Sequence, residues 1–180
     1  MNRVIVFLIL LGGISCQSER AIEREAIQPF FDLDAFFQTE IDRMTGDKTV
    51  ERNILFMGKR DKQKLDNWDA KEELEGFKDL NINRVAWRDQ YLVDSLRDEN
   101  HQLEGLRYTA IDSSLRIREV AVDFTASGEV SEVRVEKYIK NLVVHFHQKL
   151  RYRPGTGYWL WREQKVPLTK RSEMKIEVAY

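Results

Sequence analysis

Apolar residues change their period once along the chain. Phe30, Leu33, Phe37, Ile41 and Met44 recur at intervals of three and four, the signature of one buried helical stripe. Pro29 suits the first turn, Gly46 suits the stop, and Phe31 and Phe36 widen the buried side. Val50, Ile54 and Phe56 then fall on alternate positions, predicting a strand over Thr49–Met57. Gly58 and the charged run Lys59–Lys64 predict an exposed turn and a short return strand. Asp66 or Asn67 is the expected cap of a second helix. Its first turn would hold Asp69, Glu72 and Glu73, its inner side Leu74, Phe77 and Leu80, and its end Asn81-Ile82-Asn83.

From Trp87 onward the period is two. Seven strands are expected near 89–97, 102–111, 115–125, 129–139, 142–152, 158–166 and 173–180. The links between them are short and rich in Asp, Asn, Ser, Gly and Pro, so consecutive strands should be antiparallel neighbours in a meander. Helices followed by strands predict an α+β fold: a single domain with a curved antiparallel sheet of about seven strands and two helices on one face. One hairpin can be read in register. With Lys140-Asn141 as a two-residue turn, Ile139 faces Leu142 and Val135 faces Phe146 on the inward side. Outward, Glu136 faces His145, Arg134 faces His147 and Glu132 faces Lys149.

The 180 residues suit one domain, and 29 Lys+Arg against 30 Asp+Glu leave a formal charge of −1. That balance speaks against a dedicated nucleic-acid binder. With a single cysteine there is no internal disulfide and no Cys-rich zinc site. No run after the N-terminus approaches the ~18 apolar residues of a membrane-spanning helix.

The first residues change the picture more than the composition does. Met1-Asn2-Arg3 is short and positive, Val4–Leu11 is unbroken apolar chain, and Gly12 to Ser15 are mostly small. This is the order of an export signal. The only cysteine, Cys16, stands where such a signal is cut, with Ser15 before it and Gln17 after it. The segment resembles a bacterial lipoprotein signal peptide. The resemblance covers residues 1 to about 20. It implies removal of 1–15, acylation of Cys16 and a lipid anchor in the cell envelope. Because Gln17 is not Asp, it implies the outer membrane. The body beyond has the look of uncharacterised lipoproteins. Several acyl chains, each worth ~0.8 kcal/mol per buried CH₂, make such an anchor essentially permanent. Residues 16–28 are mostly polar and read as the lipidated end and a tether, whose twelve residues after the cysteine reach at most ~40 Å. The globular domain is 29–180.

Candidate chemistry is sparse. His145 and His147 form an H-x-H pair on one strand face, a weak metal pair that His101 or a carboxylate would have to complete. The competing reading is a solvated charged face, with Arg134 beside His147 repelling a cation. Lys149, Arg151 and Arg153 continue that face as a basic stripe suited to anionic headgroups or an acidic polymer. Tyr158-Trp159-Leu160-Trp161 is the densest aromatic cluster. Trp159 and Trp161 share a face and suit either a sugar or partner surface or the core, where Trp68 and Trp87 would meet them. The carboxylates Glu72-Glu73, Asp32 with Asp34, and Asp94 with Asp98 fit helix starts and strand surfaces. Ser113, Ser114 and Ser127 sit in turns without a nucleophile motif around them. There is no glycine-rich phosphate loop and no other cofactor motif.

The leading expectation is therefore a lipid-anchored, non-catalytic binding or assembly module. Its partner would be an envelope protein, glycan or lipid, with Trp159, Trp161, Arg151 and Arg153 as contact residues. The alternatives are a carrier of a lipid or small hydrophobe, with a cavity lined by residues such as Phe30, Phe37, Phe77 and Phe146, and a hydrolase.

Overall fold

The computed structural model describes residues 30–44, 46 and 48–180. The expected export signal, Cys16, the tether and Pro29 lie outside the described residues. Two helices and nine strands make up the rest: α1 (Leu33–Arg43), β1 (Lys48–Phe56), β2 (Lys59–Trp68), α2 (Ala70–Lys78), then β3 (Tyr91–Arg97), β4 (Leu103–Ala110), β5 (Ile117–Phe124), β6 (Val130–Lys140), β7 (His145–Arg153), β8 (Gly157–Lys165) and β9 (Ser172–Ala179). All nine strands join one antiparallel sheet in the order β2-β1-β9-β8-β7-β6-β5-β4-β3.

The α+β class, the two helices and the seven strands after Trp87 are as the sequence predicts. Those seven strands form the predicted meander, β3 to β9 in chain order, but the strand count is larger than predicted. The early hairpin β1–β2 docks on the last strand, with Ile54 opposite Ile176 and Arg52 opposite Val178. The sheet therefore has nine strands rather than about seven. Local periodicity predicts β1 and a shorter version of β2. It carries no information on which distant edge they pair with.

Helix α1 forms where its apolar stripe predicts. Phe30, Leu33, Phe37, Ile41 and Met44 are all buried. Asp32 caps the helix by accepting from the Asp34 and Ala35 amides at 3.0 and 3.1 Å. Helix α2 starts later than expected. The expected caps Asp66 and Asn67 belong to β2, and Asp69 takes the role instead, accepting from the Lys71 amide at 2.7 Å. The return strand absorbs what looked like a cap because β2 is ten residues long.

The helices lie on one face of the sheet. Beneath them Val133, Val135, Leu150, Tyr152, Tyr158, Leu160 and Val178 alternate inward from the central strands. Phe37 sits at the centre, edge-on to Phe36, Phe77 and Tyr152 with centroids 5.1–5.5 Å apart.

The β6–β7 register differs from the expected one by four residues. Ile139 faces Phe146, Val135 faces Leu150, Tyr138 faces His147 and Glu136 faces Lys149. The Asn141 side chain explains the shift. Its Oδ1 accepts from the Val143 and Val144 amides at 2.9 and 2.8 Å, so the connection uses residues 141–144 rather than two. An even shift leaves every side chain on its expected face.

Candidate functional site

Alternation along β7 and β8 sends Tyr152, Tyr158 and Leu160 under the helices and Arg151, Arg153, Trp159 and Trp161 to the far face. No described helix covers that face. Cross-strand pairing aligns one row over six strands: Arg134, Arg151, Trp159, Glu177, Asn53 and Lys62. Arg151 and Trp159 stand in the middle of this row as a ridge between two open grooves. The larger, of about 440 Å³, runs past Arg153, Thr156, Asn53 and Glu177. The smaller, of about 180 Å³, is walled by Arg134, Glu136, Lys149 and Glu119.

The floor of the larger groove follows from one glycine. Gly157 opens β8 at φ +139°, and a Cβ there would lie 1.9 Å from the Val178 carbonyl oxygen. No other residue fits without moving β9. With Ala179 opposite, the sheet surface beside Trp159 stays low.

The cations of the site are held by one carboxylate. Glu132 is buried, and it accepts from Arg153 Nε at 2.6 Å and Arg134 Nη1 at 2.8 Å. Arg151 Nε lies 3.7 Å away. Burial works to raise the Glu132 pKa, but the two hydrogen-bonded guanidiniums outweigh it and hold the carboxyl below its usual value. Arg134 also pairs with Asp123 at 2.9 Å. The guanidiniums of Arg151 and Arg153 remain about half exposed, so Glu132 fixes their bases and leaves their faces open to solvent.

Trp159, Arg151 and Arg153 are thus brought together, as the sequence suggests. Trp161 lies one row over and is engaged. Its indole N–H donates to Glu173 at 2.9 Å, which draws that carboxyl's pKa down, and its ring meets His147 edge-on at 4.9 Å. Trp68 and Trp87 do not join the pair. Trp68 packs on Tyr180 in the core, and Trp87 carries Arg84 over its ring.

His145 and His147 do share a face, but their neighbours differ from those expected. Tyr138, not Arg134, faces His147, whose Nε2 is 2.5 Å from Glu136. His145 is opposite Lys140 on one side and Lys165 on the other, which disfavours a cation. His101 sits in the β3–β4 turn, level with the Tyr152 end of β7 and so at the opposite end of the sheet from His145. Among the described residues no three His, Cys, Asp or Glu side chains group as metal ligands.

The candidate carboxylates are occupied locally. Asp32 is the α1 cap, and Asp98 holds the β3–β4 turn through the Asn100 and Gln102 amides. Glu73 accepts the Tyr158 hydroxyl and pairs with Arg52. Sequence reasoning missed its counterpart, Glu40. This residue is buried on α1, accepts the Tyr152 hydroxyl at 2.7 Å and pairs with Arg43 at 3.1 Å. Burial, together with these carboxylates, pushes both tyrosine pKa values far up. A Glu on the edge of an apolar stripe, opposite a strand carrying inward Tyr, was the available signal. Of the rings expected to line a carrier cavity, Phe30 packs on Tyr91 and Tyr108, and Phe37 on Phe77. Phe146 stands apart, beside Lys137 and Arg162.

No family model matches the chain, and no curated protein or solved structure matches it significantly.

Proposed function

We propose that this protein is a lipid-anchored binding module of the bacterial envelope, held by acylated Cys16, favouring the outer membrane, and that the Arg151–Trp159 ridge takes an acidic glycan. One observation carries the ligand reading: an indole and a guanidinium form a shared ridge between two open grooves. Further cations line both grooves. An aromatic face stacks on the apolar face of a sugar ring. The Arg151 guanidinium, 3.7 Å from Glu132 and about half exposed, offers a planar fork to a carboxylate. Grooves on both sides suit a chain that crosses the ridge rather than a single small ion. The anchor reading rests on the order of residues 1–16 and is supported separately from the groove.

Titration of the protein with an oligogalacturonate and with a neutral malto-oligosaccharide of equal length tests the ligand reading. Binding of the acidic chain alone is expected, weakened about tenfold or more by Arg151→Ala, consistent with loss of one charge-assisted pair. Equal binding of both sugars, or none of either, would reject it. For the anchor, Cys16→Ser should release the protein from envelope membranes of a bacterial host. A variant that still fractionates with them in full would refute acylation as its basis.

A further inference from the structure

We propose that one end of the sheet is a membrane-contacting surface that rests on an anionic lipid bilayer, through apolar hairpin tips set among lysines and arginines. Three connections meet there on neighbouring strands. Phe56 pairs with Lys59 across the β1–β2 turn and with Met174 on β9, while His145 pairs with both Lys140 and Lys165. The β1–β2, β6–β7 and β8–β9 connections therefore project from the same end.

Their tips are apolar and in water. Leu142, Val143 and Leu168 are 97%, 69% and 107% exposed, and Phe56 and Met57 about half. Backbone conformation adds a second, independent penalty at two of these residues. Met57 has φ +50° and Leu168 φ +66°, left-handed values that a side chain disfavours. Met57-Gly58 fills a two-residue hairpin turn where Asn-Gly is the favoured pair. Neither folding nor solubility is served by a methionine or leucine in those places.

Charge completes the pattern. Residues 56–60, 140–145 and 165–171 hold Lys59, Arg60, Lys140, Lys165, Lys170 and Arg171, with no Asp or Glu, in a chain whose formal charge is −1. Among the described residues, only Arg171 of these is answered by a carboxylate, Glu163 on β8. The turns at the opposite end, taken with the same flanking strand residues (97–103, 124–130 and 153–157), carry none of the exposed large apolar side chains and set Arg97 and Arg153 against Asp98, Glu99 and Glu129. Separate apolar tips on one level, ringed by flexible cations, need no matching shape in what they meet. A bilayer interface with anionic headgroups supplies that, whereas a protein partner would require a contiguous complementary surface. The surface is distinct from the Trp159 groove and does not depend on acylation.

The test uses the full chain with Cys16→Ser and a single reporter cysteine, Leu168→Cys, carrying an environment-sensitive fluorophore. Ser127→Cys at the opposite end is the control. With vesicles of equal parts phosphatidylglycerol and phosphatidylcholine, a blue shift is expected at 168 and none at 127. The shift should vanish in high salt and with phosphatidylcholine alone. Leu142→Asp with Val143→Asp should weaken the vesicle affinity read at 168 about tenfold per residue, and Lys165→Glu or Lys170→Glu about fivefold each. These side chains are exposed, so thermal melting should be unchanged. Arg151→Ala should leave the shift intact, which separates this surface from the glycan groove. A label at 168 that stays aqueous on bound vesicles, one that responds just as 127 does, or one indifferent to anionic lipid overturns the proposal.

Discussion

The two faces of the sheet are held by different physics although the same strands build both. Under the helices, β7 and β8 contribute Leu150, Tyr152, Tyr158 and Leu160, all buried, and the aromatic rings of α1 and α2 interlock with them. On the far face the neighbouring residues of those strands are Arg151 and Arg153, held by ion pairs and about half exposed, and the half-buried Trp159 and Trp161. Burial is cooperative and intolerant of lost volume. Exposed ion pairs are individually weak and screened. The far face is therefore free to carry chemistry that the helix-side face cannot, and substitutions should separate the two.

The largest expected effect is on the helix side. Phe37 is fully buried against three rings, so Phe37→Ala should lower unfolding free energy by about 3–5 kcal/mol in chemical denaturation. A loss below about 1 kcal/mol would mean that the packing between helix and sheet is loose. Next comes the buried polar tie. Glu40→Ala leaves the Tyr152 hydroxyl without its acceptor, at a cost of about 1–3 kcal/mol. Adding Tyr152→Phe removes the orphaned hydroxyl, so the double variant should be less destabilised than the sum of the two changes. Strict additivity would show that the tie contributes nothing.

These two residues also mark how far the sequence could be read. Phe37 lies on a stripe of five apolar positions, a local periodic signal that predicts α1 and its buried side. Glu40 lies next to that stripe and reads as an exposed charge, because its partner is 112 positions away. The same limit explains β1. Its own alternation is plain, but its pairing with β9 joins the two ends of the domain, and nothing local encodes that. Turn chemistry sits between. Asn141 is visible as a turn former, but the amides its side chain accepts from, and with them the loop length, follow only from the folded backbone. For the candidate site, alternation alone places Arg151, Arg153 and Trp159 on one face. The larger groove depends on Gly157 and Ala179 lying low beside it, which no motif announces.

On the far face a smaller, pH-dependent effect is expected from Glu132. Its carboxyl is held below the usual 4.5 because Arg153 and Arg134 outweigh its burial. A group depressed in the folded state stabilises the protein fully above its unfolded pKa and loses that contribution as pH falls through the folded value. Glu132→Gln should therefore cost about 1 kcal/mol at pH 7, and the gap to the parent protein should close progressively below about pH 4.5. A gap that persists unchanged in acid would show that Glu132 contributes through shape rather than charge.

A modest stability effect and the sharpest functional one should coincide at Trp159. Its indole lies half-buried on the far face between Arg151 and Glu177 and lines both grooves. Truncation removes partial contacts rather than opening a sealed cavity, so Trp159→Ala should cost about 1–2 kcal/mol. Tyr158→Ala, one residue away but under α2, should cost about 3–5 kcal/mol, because it deletes a ring edge-on to Phe77 and the donor to Glu73. If Trp159 instead destabilises as much as Tyr158, the indole belongs to the packing of the sheet and the ridge is no platform. If the pair separates as expected, adjacent residues on one strand serve different ends. Loss of acidic-glycan binding in Trp159→Ala would then report on recognition, since the fold remains intact.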